Sequence, residues 1–116
     1  MKTTRDVIDR YLAAFEKGSP DKVLEVFSDD SIVICGDSVY KGLKDIRKFF
    51  EYVMRDVLPP DAQIHSKHHI VEDDVAYFVW SSKSAGCEVD LGLDVLLVKD
   101  GVIARQAVFL GFKRAP

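Results

Sequence analysis

Apolar positions recur with helical spacing in the first half of the chain and alternate along the second. Val7, Ile8, Tyr11, Leu12 and Phe15 fall on one stripe, which predicts an amphipathic helix over residues 3–17. Thr3 or Thr4 is placed to cap it, and Gly18 stops it. Ser19-Pro20 opens a second helix, to about Phe27, that buries Val23, Leu24 and Phe27. Ser31 to Cys35 is a short β-branched strand, Gly36-Asp37 turns the chain, and Val39-Tyr40 pairs briefly. Leu43, Ile46, Phe49, Phe50, Val53 and Val57 mark a third helix, which Pro59-Pro60 ends. Beyond Ala62 the pattern is β. Strands are expected over 62–71 and 75–84, joined at Glu72-Asp73-Asp74, and a long hairpin follows over 88–112.

That hairpin turns at Asp100-Gly101, a pair suited to a turn with two positive φ angles. Counting outward from a two-residue loop sets Val98 against Ile103, Leu96 against Arg105 and Asp94 against Ala107. One face then carries Asp94, Leu96, Val98, Ile103, Arg105, Ala107 and Phe109. The other carries Leu91, Leu93, Val95, Leu97, Ala104, Val108 and Leu110 and is almost purely apolar. Asp94 is a carboxylate among apolar neighbours, with Arg105 diagonal to it. Two readings stay open: an acid facing a pocket, or an ion pair with Arg105 that keeps the carboxyl ionised.

Three helices around a short strand, then four long antiparallel strands, specify an α+β fold with helices packed on one face of a curved sheet. The 116 residues suit one domain, and 47% hydrophobic content supplies its core. A net charge of −3 without a basic run argues against nucleic acid. No apolar run is long enough to cross a bilayer, and the N-terminal stretch lacks a signal-peptide core, so a cytoplasmic location is expected. Cys35 and Cys87 have no motif spacing and are read as reduced thiols. His65 and His69, expected on one strand face, would be roughly 13 Å apart, too far to share an ion, so no metal is expected.

The segments RYLAAFEKGSPDKVLEVFSDDSIVI, YKGLKDIRKFF and GLDVLLVKDGVIARQAVF resemble the nuclear transport factor 2-like superfamily, nearest its ketosteroid isomerases and SnoaL-like polyketide cyclases. The resemblance covers nearly the whole chain and implies a single domain over residues 1–116. It implies a cone in which a bent, mainly antiparallel sheet wraps the helices around an apolar pocket. It also implies dimerisation through the outer sheet face and cofactor-independent acid–base chemistry. In the isomerase mechanism an Asp moves a proton α to a carbonyl while a Tyr and a protonated Asp stabilise the oxyanion. Tyr11, in Arg10-Tyr11-Leu12-Ala13-Ala14, matches the family tyrosine, and Asp94 matches the protonated aspartate. The position of the base falls on Cys35, with Asp37 two residues on. A supporting tyrosine is replaced by Phe50. In the epoxide-hydrolase branch, the positions of an Arg and a second Asp fall on Gly92 and Gly111.

The resemblance places His68, opposite Val79, on the concave side with Tyr77 and Ser81. His65, His69, Phe78 and Trp80 would point outward. His68 is then a group able to carry a proton near neutral pH. The expected catalytic set is Tyr11, Asp94, His68 and Asp37. Phe15, Cys35, Phe50, Val79, Leu96, Arg105 and Phe109 are expected around a small apolar ligand. The apolar outer face, Leu91, Leu93, Val95 and Leu97 with Phe78 and Trp80 beside it, must be covered: a homodimer is expected, and an inverted assignment of the two faces is the alternative. The function expected is isomerisation, cyclisation or dehydration of a small apolar carbonyl compound; the missing base leaves a non-catalytic binder on the same scaffold as the alternative.

Overall fold

The computed structural model describes residues 2–116. Helix α1 (Thr4–Glu16) begins at a reciprocal cap: Thr3 Oγ1 accepts from the Asp6 amide, and Asp6 Oδ2 accepts from the Thr3 amide, both at 3.1 Å. Gly18 turns the chain at φ +63°. Helix α2 (Pro20–Leu24) is shorter than its apolar pattern predicts. Ser19 caps it through the Lys22 amide, and the chain continues to Phe27 in tight turns.

Strands β1 (Ile32–Cys35) and β2 (Ser38–Lys41) form a small hairpin, so the brief pairing at Val39-Tyr40 is a full strand. Helix α3 (Gly42–Tyr52) follows and ends in one π-helical turn, Val53–Val57, before the two prolines. The wider turn keeps Val53, Met54 and Val57 all buried.

Four long strands complete the chain: β3 (Gln63–Glu72), β4 (Val75–Lys83), β5 (Glu88–Lys99) and β6 (Val102–Arg114). The sheet runs β2-β1-β6-β5-β4-β3. The β1–β6 pairing is parallel and the others are antiparallel. The architecture is the expected α+β one, a curved sheet with its helices on one face.

The core lies between helices and sheet. Val7, Ile8, Tyr11 and Ala14 of α1, Val23 of α2, and Ile46, Phe49 and Phe50 of α3 meet Val33, Ala76, Phe78, Trp80, Val89, Leu96, Val98 and Ile103 of the sheet.

The counted hairpin register holds for only two pairs. Asp100 and Gly101 have φ of +53° and +79°, as the turn requires, and Lys99–Val102 and Val98–Ile103 pair as counted. A bulge at Ala104 then shifts the ladder, so that Leu97 opposes Arg105, Leu96 opposes Gln106 and Asp94 opposes Val108. A one-residue shift turns every later side chain of β6 over. Gln106, Val108 and Leu110 therefore face the helices, while Arg105, Ala107 and Phe109 face out. Contacts from distant segments tie down this irregularity. The Ile103 amide donates to the Val26 carbonyl at 2.7 Å, and the Ile103 carbonyl accepts from Ser31 Oγ at 2.7 Å.

A second bulge, at Lys67 on β3, puts Ile64, Ser66 and His69 on the inner face and leaves His65 and His68 outside. His65 and His69 are thus on opposite faces. On β4, Phe78 and Trp80 point inward, opposite to the expectation, and Tyr77 and Val79 point out. Among the described residues, no helix is long and apolar enough to cross a membrane.

Candidate functional site

A cavity of about 390 Å³ opens between α1, α3 and the inner face of β3–β6. Its walls are mostly apolar: Leu12, Phe15, Phe49, Phe50, Val53 and Leu58 from the helical side, and Phe78, Trp80, Val108 and Leu110 from the sheet. The volume suits a small molecule. Tyr11, Phe15, Phe27 and Phe50 pack edge-on or tilted, with ring centroids 5.1–6.3 Å apart.

The polar part of the cavity is built around Asp94, which is 8% exposed. Trp80 Nε1 donates to its Oδ2 at 2.8 Å, and Gln106 Nε2 donates to its Oδ1 at 3.1 Å. The same Gln106 nitrogen donates to the Tyr11 hydroxyl at 3.0 Å. One amide thus joins the acid of β5 to the tyrosine of α1. Burial pushes the Asp94 carboxyl up to about 6, against the two hydrogen bonds, which pull the other way. Burial, and next the nearby carboxylate, push the Tyr11 hydroxyl well above its ordinary value. Tyr11 is therefore a hydrogen-bond donor and not a phenolate at neutral pH.

Trp80 can reach Asp94 because position 92 has no side chain. Trp80 opposes Gly92 across the β4–β5 ladder, and a Cβ there would overlap the indole Cε2, Cζ2 and Cδ2 atoms. Gly92 is not a lost arginine in this setting; it is the space the tryptophan ring occupies.

The remaining expected site residues divide by face. Phe15 and Phe50 line the cavity with Tyr11 and Asp94. Cys35 lies in the same cross-strand row as Val108 and Asp94, half-buried, and burial pushes its thiol up, with a further rise from Asp94. Such a thiol is a poor nucleophile at neutral pH. Both cysteines are free. Leu96 is fully buried in the core. Val79 faces out, and Asp37 is exposed in the β1–β2 turn.

His68 is on the outer side; its neighbour His69 lines the cavity, its ring 4.8 Å from that of Phe78. Phe109 is 53% exposed on the outer face. Arg105 donates to the carbonyls of Asp30 and Ala104, so the Asp94–Arg105 ion pair is replaced by the Trp80 and Gln106 contacts. The counted register missed Gln106, Trp80 and His69 because each lies beyond a bulge or on a strand face assigned backwards. A polar Gln followed by Ala107 and Val108 in a mainly apolar strand was the available signal for the first.

The SnoaL-like domain family matches residues 8–106. The chain belongs to the SnoaL-like domain family. Its structural neighbours agree. A candidate ketosteroid isomerase from Kribbella flavida superposes with a TM-score of 0.75 at 16% identity, over 97% of this chain and 81% of that one. A candidate polyketide cyclase from Sinorhizobium meliloti gives 0.71 at 21% identity, over 89% and 93%. A de novo designed protein with a curved β-sheet gives 0.75 at 17% identity, over 92% and 84%. Identities this low establish the fold of this SnoaL-like domain, and a fold by itself does not fix an activity. No curated protein matches the chain significantly.

Proposed function

We propose that this SnoaL-like protein binds a small, largely apolar carbonyl compound in the cavity and moves a proton on it without a cofactor. The observation that carries this reading is the joined pair Asp94 and Tyr11, buried at an apolar cavity and linked through one amide nitrogen.

Trp80 and Gln106 both donate to Asp94, so the carboxylate is arranged as an acceptor. That suits a base rather than the oxyanion donor expected from the resemblance. With its carboxyl held at about 6, Asp94 is ionised at neutral pH yet able to hold a proton in passing. Tyr11 has a hydroxyl hydrogen free to donate to a carbonyl oxygen, where negative charge would develop. The reaction class is enolisation, leading to isomerisation, cyclisation or dehydration. His69 at the cavity wall, in place of His68, is the second group able to carry a proton.

The test is α-proton exchange of cyclic ketones in deuterated buffer, followed by NMR. Wild type should accelerate the exchange, and Asp94→Asn should remove most of the effect. If ketones and phenols bind but exchange is no faster than in buffer, the second reading holds: a non-catalytic binding domain. A specific observation favours that reading, since the carboxylate carries two donors already and its exposed area is small.

The proposal includes a homodimer. Leu91, Leu97 and Phe109 are exposed on the outer face, a surface that association with a second copy would cover. A sedimenting species of only 13.1 kDa at micromolar concentration would refute it.

A further inference from the structure

The Gln106 side chain makes a statement about what it meets. Its nitrogen has two hydrogens, and both are spent, on Asp94 Oδ1 and on the Tyr11 hydroxyl. An ionised carboxylate only accepts, so Asp94 fixes which end of the amide turns toward it. Gln106 Oε1 is left without a partner, although the residue is only 2% exposed and lines the cavity. Buried polar atoms are paired in native proteins with few exceptions, and an exception beside a cavity calls for an explanation. The indole hydrogen of Trp80 is likewise committed to Asp94. Within the Asp94–Gln106–Trp80–Tyr11 cluster the cavity therefore offers a ligand one free donor hydrogen, that of Tyr11. Against it stand several acceptor positions: Gln106 Oε1 and the second lone pairs of the Asp94 oxygens.

We infer that the pocket selects molecules that carry a hydrogen-bond donor beside a carbonyl. Gln106 Oε1 is closed to solvent as it stands, so a small rotation of the side chain brings it to a ring N–H or O–H, and the adjacent carbonyl oxygen takes the Tyr11 hydrogen. Lactams and hydroxyketones share this donor–acceptor edge; plain ketones have half of it and hydrocarbons none. The inference rests on the reading of the cavity as a binding site and adds a substrate preference to it. Its physical basis is asymmetric. A ligand without the donor leaves Oε1 buried and unpaired, whereas a ligand with it gains a hydrogen bond to an acceptor already desolvated.

Trp80 is the sole tryptophan and lines the cavity, so its fluorescence reports occupancy. Four two-ring probes of nearly equal size separate the contributions: dihydroquinolinone, its N-methyl derivative, tetralone and tetralin. Dihydroquinolinone has both donor and carbonyl, the next two have the carbonyl alone, and tetralin has neither. The lactam should bind on the order of tenfold or more tightly than the N-methyl lactam and tetralone. In Gln106→Met, with folding checked by circular dichroism, that preference should shrink to about twofold or less, as expected once the acceptor is gone. Tyr11→Phe provides a second arm: it should weaken lactam and tetralone alike and leave their ratio largely unchanged, because it removes the carbonyl's partner while the contact with Asp94 still orients the Gln106 amide.

Equal affinity of lactam and tetralone for wild type would overturn the donor preference while leaving the pocket reading intact. Failure of every probe to quench Trp80, phenols included, would overturn both. A Tyr11→Phe variant that abolishes the ratio would also overturn the assignment of the donor to Gln106.

Discussion

Replacing Asp94 by asparagine should stabilise the protein at neutral pH, and the gain should depend on pH in a defined way. The carboxyl is raised from 3.8 to about 6 because folding strips its water, and the hydrogen bonds from Trp80 and Gln106 recover only part of the loss. The native state thus holds a proton that the unfolded chain has already released between those values. Stability falls with rising pH wherever the folded state binds more protons. The contribution is fully present below the unfolded value of 3.8 and is lost as pH climbs through about 6. A shift of roughly two units corresponds to about 3 kcal/mol.

Asparagine has no proton to lose, can accept from the Trp80 indole, and can donate to Gln106 Oε1 if that amide turns over. The assay is urea denaturation of wild type and Asp94→Asn at matched protein concentration, from about pH 4 to about pH 7.5. The difference between the two should widen in favour of Asn by about 3 kcal/mol across that range. Tyr11 and Cys35, the titratable neighbours pushed upward, stay neutral throughout and cancel in the comparison. A flat difference, or wild type gaining on the variant as pH rises, would refute the account of Asp94 as a desolvated carboxyl.

Three further outcomes follow from the same geometry. Gly92→Ala should cost about 1–3 kcal/mol and shift Trp80 emission, since the new Cβ meets the indole ring; an unchanged melting temperature and spectrum would show that the ring is free to move. His69→Ala should weaken cavity ligands severalfold while His68→Ala leaves them unaffected, because only the first lines the cavity; fluorescence titration of both variants decides it. Phe109→Lys on the outer face should shift sedimentation toward monomer with little effect on ligand affinity, and an unchanged dimer would place the interface elsewhere.

The elements of this fold were legible because local rules set them. The stripe Val7, Ile8, Tyr11 on α1, the caps at Thr3 and Ser19, and the Asp100-Gly101 turn all depend on residues within one or two turns of each other. The candidate site was legible only where it lies close to such a marker. Val98 and Ile103, beside the turn, pair as counted; Gln106, three residues further on, does not. What intervenes is the bulge at Ala104, next to Ile103, whose backbone partners are Val26 and Ser31, more than seventy positions away. No window of sequence contains both.

The same division explains the histidines and the aromatic residues of β4. Alternation identifies which residues share a face, but the side of the sheet that receives the helices is a tertiary choice. The bulge at Lys67 separates His65 from His69, and the packing of α1 on β4 and β5 decides that Phe78 and Trp80 point inward. The sequence by itself determined the order of helices and strands, the α+β class and the presence of a carboxylate in an apolar strand. Only the tertiary structure decided that this carboxylate meets Trp80 and Gln106 in place of Arg105. Strand facing changes sign with each bulge, and long-range contacts stabilise the bulges.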